Sequence, residues 1–122
     1  MLSVAGERQP DCLFCKIVSG EVPATVVRET ETTVAFRDIN PQAPTHVLVI
    51  PKVHYPDAAT LAAAEPGVAA DVLREAGAVA DDEKLDSSGY RIVLNTGSGA
   101  GQTVFHAHAH VLGGRGLTWP PG

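Results

Sequence analysis

No stretch of this chain approaches the ~20 consecutive apolar residues that a bilayer-spanning helix needs, and nowhere do Lys and Arg gather into a cluster. The first absence argues against a membrane partner. With a formal net charge of -5, the second argues against a nucleic-acid polyanion, though a small nucleotide stays open. A Gly-Lys-Ser/Thr phosphate loop is also missing, which removes P-loop chemistry. Residues 1–10 lack the basic-then-apolar layout of a signal peptide and read as a flexible polar tail, so a cytoplasmic location is expected. Internal repeats are absent. Cysteine is nearly so: Cys12 and Cys15 are the whole complement. In a cytoplasmic chain a C-x2-C pair reads as metal-binding or redox-active rather than as a structural disulfide.

What is present suits one globular domain, 11–122. The chain is 44% hydrophobic and 19% charged, and its 122 residues suffice to bury a core. Asp11 is placed as N-cap of a short helix over Cys12 to Val18, stopped at Ser19-Gly20. Thr25 to Glu29 and Thr33 to Phe36 are β-branched runs that read as a hairpin. After a Pro-rich turn, His46 to Ile50 is a mostly apolar central strand closed by Pro51. Ala58 to Ala64 is a short helical piece. From Pro66 to about Asp82, Val68, Val72, Leu73, Ala76 and Val79 recur at three-to-four spacing, the pattern of one main helix. Its acidic end, Asp81-Asp82-Glu83, opposes the helix dipole and predicts fraying. Tyr90 to Leu94 is a strand, Asn95 to Gln102 a Gly-rich loop, and Val104 to Leu112 a further strand. The fold class is α+β: an antiparallel sheet with one main helix and a short N-terminal helix.

The last strand carries the chemistry. Three of the five histidines fall in His106-Ala107-His108-Ala109-His110. Side chains alternate faces along an extended strand, so all three imidazoles project from one face. Imidazole titrates near neutrality, and such a row offers a nucleophile, proton donors and acceptors, or metal ligands. Just before it, the glycines of Asn95 to Gln102 can turn backbone N–H groups toward an anion, with Ser98 and Thr103 as hydroxyl donors. Loop and row together suggest a phosphate pocket: nucleophile, oxygen-binding donors and a proton for the leaving group lie within a short span.

Asp38-x-x-Pro-x-Ala-Pro-Thr-His46 running into Val-Leu-Val-Ile-Pro51, followed by Gly101-Gln-Thr-Val-Phe-His-Ala-His-Ala-His-Val-Leu-Gly-Gly-Arg115, resembles the histidine triad (HIT) family. The closing Trp119-Pro-Pro-Gly122 resembles its Hint branch. The resemblance implies a five-stranded HIT-like sheet that pairs into a ten-stranded sheet in a homodimer. It implies nucleotidyl transfer to His108, with His106, His110 and His46 beside the phosphate, and cleavage of purine nucleoside phosphoramidates of the AMP–amine type. Asp38 matches the acidic residue on the ribose, Asn95 a residue near ribose and phosphate, and Gly101 and Thr103 the phosphate loop. Most Hint-like sequences have serine at the position of Thr103, so binding with an altered fit is expected. Phe14, Ile17 and Val22 match apolar positions around a purine, and Trp119 one that reaches the partner's active site.

The resemblance also bears on the cysteines. Some bacterial HIT proteins, and galactose-1-phosphate uridylyltransferases, hold zinc with a C-x2-C pair, a histidine just after the Val-Ile-Pro strand and the first triad histidine. Cys12, Cys15, His54 and His106 match that set, with the zinc structural and no organic cofactor. Two buried free thiols with a surface His54 are the alternative. For the function, the alternatives are a dinucleoside polyphosphate hydrolase of the same family, an AMP-binding module without catalysis, or a zinc-dependent interaction protein.

Overall fold

The computed structural model describes residues 6–122. A short helix α1 (Leu13–Ser19) precedes a hairpin of β1 (Val26–Glu29) and β2 (Thr33–Arg37), and β3 (Thr45–Pro51) follows. Two helices come next, α2 (Ala58–Ala64) and α3 (Pro66–Asp82), then β4 (Tyr90–Val93), a 3-10 turn at Ser98–Ala100 and β5 (Ala109–Gly113). The five strands form one antiparallel sheet in the order β1-β2-β3-β5-β4. The expected α+β sheet is present, with α2 as a third helix.

The central strand explains the layering. All seven residues of β3 are buried, because each face of the sheet is covered. Val47 and Val49 point with Ala35, Ala109 and Val111 into a core closed by Val72, Ala76, Val79 and Ala80 of α3. Leu48 and Ile50 point the other way, with Val34 and Phe36, onto Phe14 of α1. Register then aims the second face. Phe36 pairs with Leu48, Leu48 with His110, and His110 with Val93, one transverse row under α1.

Three sequence expectations are corrected. α1 starts at Leu13 and its cap is Cys12, not Asp11: the Cys12 thiol accepts the Cys15 N–H at 3.3 Å. The histidine strand is paired only from Ala109. His106 and His108 lie before it, where the Ala107 N–H donates to the Tyr55 carbonyl and the His106 carbonyl is taken by a side chain. The acidic end of α3 closes rather than frays, with the Glu83 N–H on the Val79 carbonyl and Asp82 and Glu83 paired to Arg28 and Arg37. Those two arginines, on β1 and β2, neutralise the charge that opposes the dipole.

The tail expected over residues 1–10 falls partly on Met1–Ala5, outside the described residues. Gly6 bridges to His54, and the Gln9 carbonyl accepts the Cys12 N–H.

Candidate active site and metal cluster

The hydrogen bonds of the histidines fix their tautomers. The Gln42 N–H donates to His46 Nδ1 at 3.0 Å, so the proton of a neutral His46 is on Nε2. That Nε2–H donates to His110 Nδ1 at 2.9 Å, which leaves the His110 proton on Nε2. His108 is held separately: its Nδ1–H donates to the His106 carbonyl at 2.8 Å. His108 Nε2 is therefore a bare lone pair, the form a nucleophile requires. Burial lowers the pKa of His46 and His108, and pushes that of His110 down to about 4. The Asp38 carboxylate, with Oδ2 3.5 Å from His46 Nε2, works against this for all three.

His106 is committed elsewhere. It is fully buried, its Nε2–H donates to the Pro51 carbonyl at 2.8 Å, and burial pushes its pKa down to about 4. Its remaining lone pair, on Nδ1, faces Cys12 Sγ at 3.5 Å, Cys15 Sγ at 3.6 Å and His54 Nδ1 at 3.2 Å, and Cys15 Sγ lies 3.4 Å from His54 Nδ1. The four ligand atoms are all within 4.8 Å of one another. A tetrahedral ion with Zn–S of about 2.3 Å and Zn–N of about 2.05 Å would separate sulfur from nitrogen by about 3.55 Å and nitrogen from nitrogen by about 3.35 Å. The observed edges match, so the residues present fit a four-coordinate metal. Burial and the neighbouring Cys12 raise the pKa of Cys15, so a Cys15 thiolate here calls for a cation.

A cavity of ≈ 310 Å³ opens beside His108 and His110. Phe14, Ile17, Val22, Phe36 and Leu48 make an apolar end, while Asp38 and Thr103 stand with the two histidines on its walls. Phe14 places its ring edge-on to His108, centroids 5.0 Å apart.

A model of the HIT domain family matches residues 19–117. The chain belongs to the HIT family. It is 46% identical to an uncharacterised HIT-like protein of Synechococcus elongatus over 92% of this chain and 97% of that one. It is 51% identical to a 14 kDa zinc-binding protein of Zea mays over 90% and 87%. Among solved structures, a HIT family hydrolase from Legionella pneumophila superposes with a TM-score of 0.88 at 52% identity, covering 92% of this chain and all of that one.

This HIT domain gathers His108, His110, Asp38, Thr103, Phe14, Ile17 and Val22 around one cavity, with His46 behind its wall against His110 and Asp38. Cys12, Cys15, His54 and His106 form the separate cluster. The His106 ring, expected both as a catalytic group and as a metal ligand, lines no wall of the cavity: its Nδ1 faces the cluster, and its carbonyl orients His108. Asn95 and Gly101 lie outside the cavity walls, Asn95 two residues beyond the pairing of Val93 with His110. Trp119 is 82% exposed and lines no wall of the cavity. Sequence reasoning missed the wall residues Phe36, Ile39 and Leu48, although Phe36 and Leu48 alternate with Asp38 and His46 and Ile39 adjoins Asp38. It also missed Gln102, whose buried amide accepts the Gly97 N–H and donates to the Pro56 and Val104 carbonyls.

Proposed function

We propose that this HIT protein is a hydrolase of purine nucleoside phosphoramidates that works through a nucleotidyl-imidazole at His108. One observation carries the reading: the His106 carbonyl holds the Nδ1 proton of His108 and leaves Nε2 bare on the wall of the cavity. The purine occupies the apolar end, and Asp38 takes the ribose hydroxyls. Thr103, with the loop of Asn95 and Gly101, holds the phosphate. His108 Nε2 attacks the α-phosphorus, a phosphorus–imidazole bond forms and the phosphorus–nitrogen bond breaks. Binding of the anionic substrate draws one proton from solvent into the His46–His110 pair, and His110 Nε2–H donates it to the departing amine. Water then attacks phosphorus and gives a proton to His110 Nε2. The nucleoside monophosphate leaves, and His108 is restored.

Zinc is the metal we assign to Cys12, Cys15, His54 and His106. All four positions would be filled by protein, and the ion would supply a structural cross-link rather than an open coordination site. The protein acts as a homodimer in which Trp119 reaches the partner's cavity, in the cytoplasm. The test is turnover of an adenosine phosphoramidate by wild type and His108→Ala. Turnover is expected to fall by more than about a thousandfold on loss of the nucleophile, with AMP affinity kept within about tenfold. Unchanged turnover in the variant overturns the mechanism. AMP binding without any turnover in wild type points to a binding module.

A further inference from the structure

Helix α1 serves two sites at once. Cys12 and Cys15 project from its start into the metal cluster, while Leu13, Phe14 and Ile17 form a wall of the nucleotide cavity. Phe14 lies between the cysteines in sequence, and its ring stands edge-on to His108 at 5.0 Å and to His106 at 5.9 Å. His106 makes a second bridge, with Nδ1 in the cluster and its carbonyl on His108 Nδ1–H. The helix has little strength of its own. Isolated helices shorter than about 12–15 residues are marginal in water, α1 has seven residues, and its N-cap acceptor is a sulfur, weaker than the usual oxygen. What holds it is the packing of Phe14, Ile17 and Val18 on the sheet and the contacts of Cys12 and Cys15 in the cluster.

We infer that Cys12, Cys15, His54 and His106, closed by a metal ion, are positioning residues for the nucleotide cavity, so that metal and AMP each raise the affinity for the other. This rests on the nucleotide and zinc assignments above. No rearrangement has to travel between the sites, because the helix that ligates the metal is itself the cavity wall. Binding couplings are reciprocal, so the factor must be the same in both directions.

The test uses Zn²⁺ and AMP on the full chain. AMP is titrated by calorimetry into zinc-loaded and chelator-stripped protein, and Zn²⁺ affinity is measured against a chromophoric chelator with and without saturating AMP. The loaded protein is expected to bind AMP at least about fivefold more tightly, and AMP to tighten Zn²⁺ by the same factor. Hydrogen exchange on stripped protein is expected to open Leu13–Ser19 and residues 106–108 while α3 and β3 stay protected. Cys12→Ser in excess Zn²⁺ is expected to bind AMP as stripped wild type does. Equal AMP affinity with and without metal overturns the inference and leaves the nucleotide reading standing. Failure of the loaded protein to bind AMP removes the nucleotide reading and the inference with it. Absence of Zn²⁺ uptake, wild-type AMP affinity in Cys12→Ser, or exchange opening across α3 as well, also overturns the inference.

Discussion

Among the described residues, Asp38 is the carboxylate whose charge reaches the row of neutral imidazoles, and it opposes the burial that lowers their pKa values. Desolvation lowers His46, His108 and His110, while Asp38, 3.5 Å from His46 Nε2, raises each of them. Asp38→Asn removes the opposing effect and lowers all three pKa values further. His108 must be bare to attack, and the His46–His110 pair must hold a proton for the leaving amine. Both limbs of the kcat/KM profile are therefore expected to move to lower pH. A profile that stays in place while KM rises would assign Asp38 to the ribose alone. Repeating the series with a 3'-deoxyribose substrate separates the two roles, since a shift caused by charge survives the loss of the hydroxyl.

At the scale of elements, the loop before β5 depends on one side chain. Gln102 is buried and ties Gly97, Pro56 and Val104 together through three hydrogen bonds of 2.7–3.1 Å. Gln102→Ala leaves a donor and two acceptors without a partner, a cost of about 1–3 kcal/mol, measurable by urea unfolding. Because Thr103 and Val104 are cavity wall, KM is expected to rise more than kcat falls. A variant that lost kcat alone would show that the loop acts on the chemistry rather than on fit. Nothing periodic marks Gln102, which is why the sequence hid it: its bonds reach Pro56, 46 residues away. α3 was legible because its apolar stripe repeats at helical spacing, and β3 because its apolar run is bounded by Pro51. The C-x2-C pair and the histidine row were legible as spacings. Alternation tells which face a histidine occupies but not whether its backbone is paired, so the start of β5 was misplaced. A thiol cap has no oxygen signature, so the start of α1 was misplaced too.

Over the whole molecule, the two faces of the sheet are unequally secured. The α3 face carries a broad apolar core that includes Val47, Val49, Val72, Ala76, Val79 and Val111, whereas the α1 face has Phe14 over Val34, Phe36, Leu48 and Ile50. The cluster, holding the zinc we propose, would compensate on the weaker side. It joins α1 to His54 just after β3 and to His106 just before β5, pairs separated by 39 to 94 residues along the chain. A metal at a hundred times its dissociation constant stabilises a fold by about 2.7 kcal/mol. For a domain of this size each kcal/mol moves Tm by roughly 3–5 °C. Chelation is therefore expected to lower Tm by about 10 °C in a scanning calorimeter. The stripped protein should still unfold in one cooperative transition, because the α3 core contains none of the four ligands. Readdition of Zn²⁺ should restore the loss, and Cys15→Ser should show the lower Tm whether or not Zn²⁺ is present. A Tm indifferent to chelation would mean that the thiols and imidazoles pack as neutral neighbours and that the apolar contacts of Phe14, Ile17 and Val18 secure the α1 face.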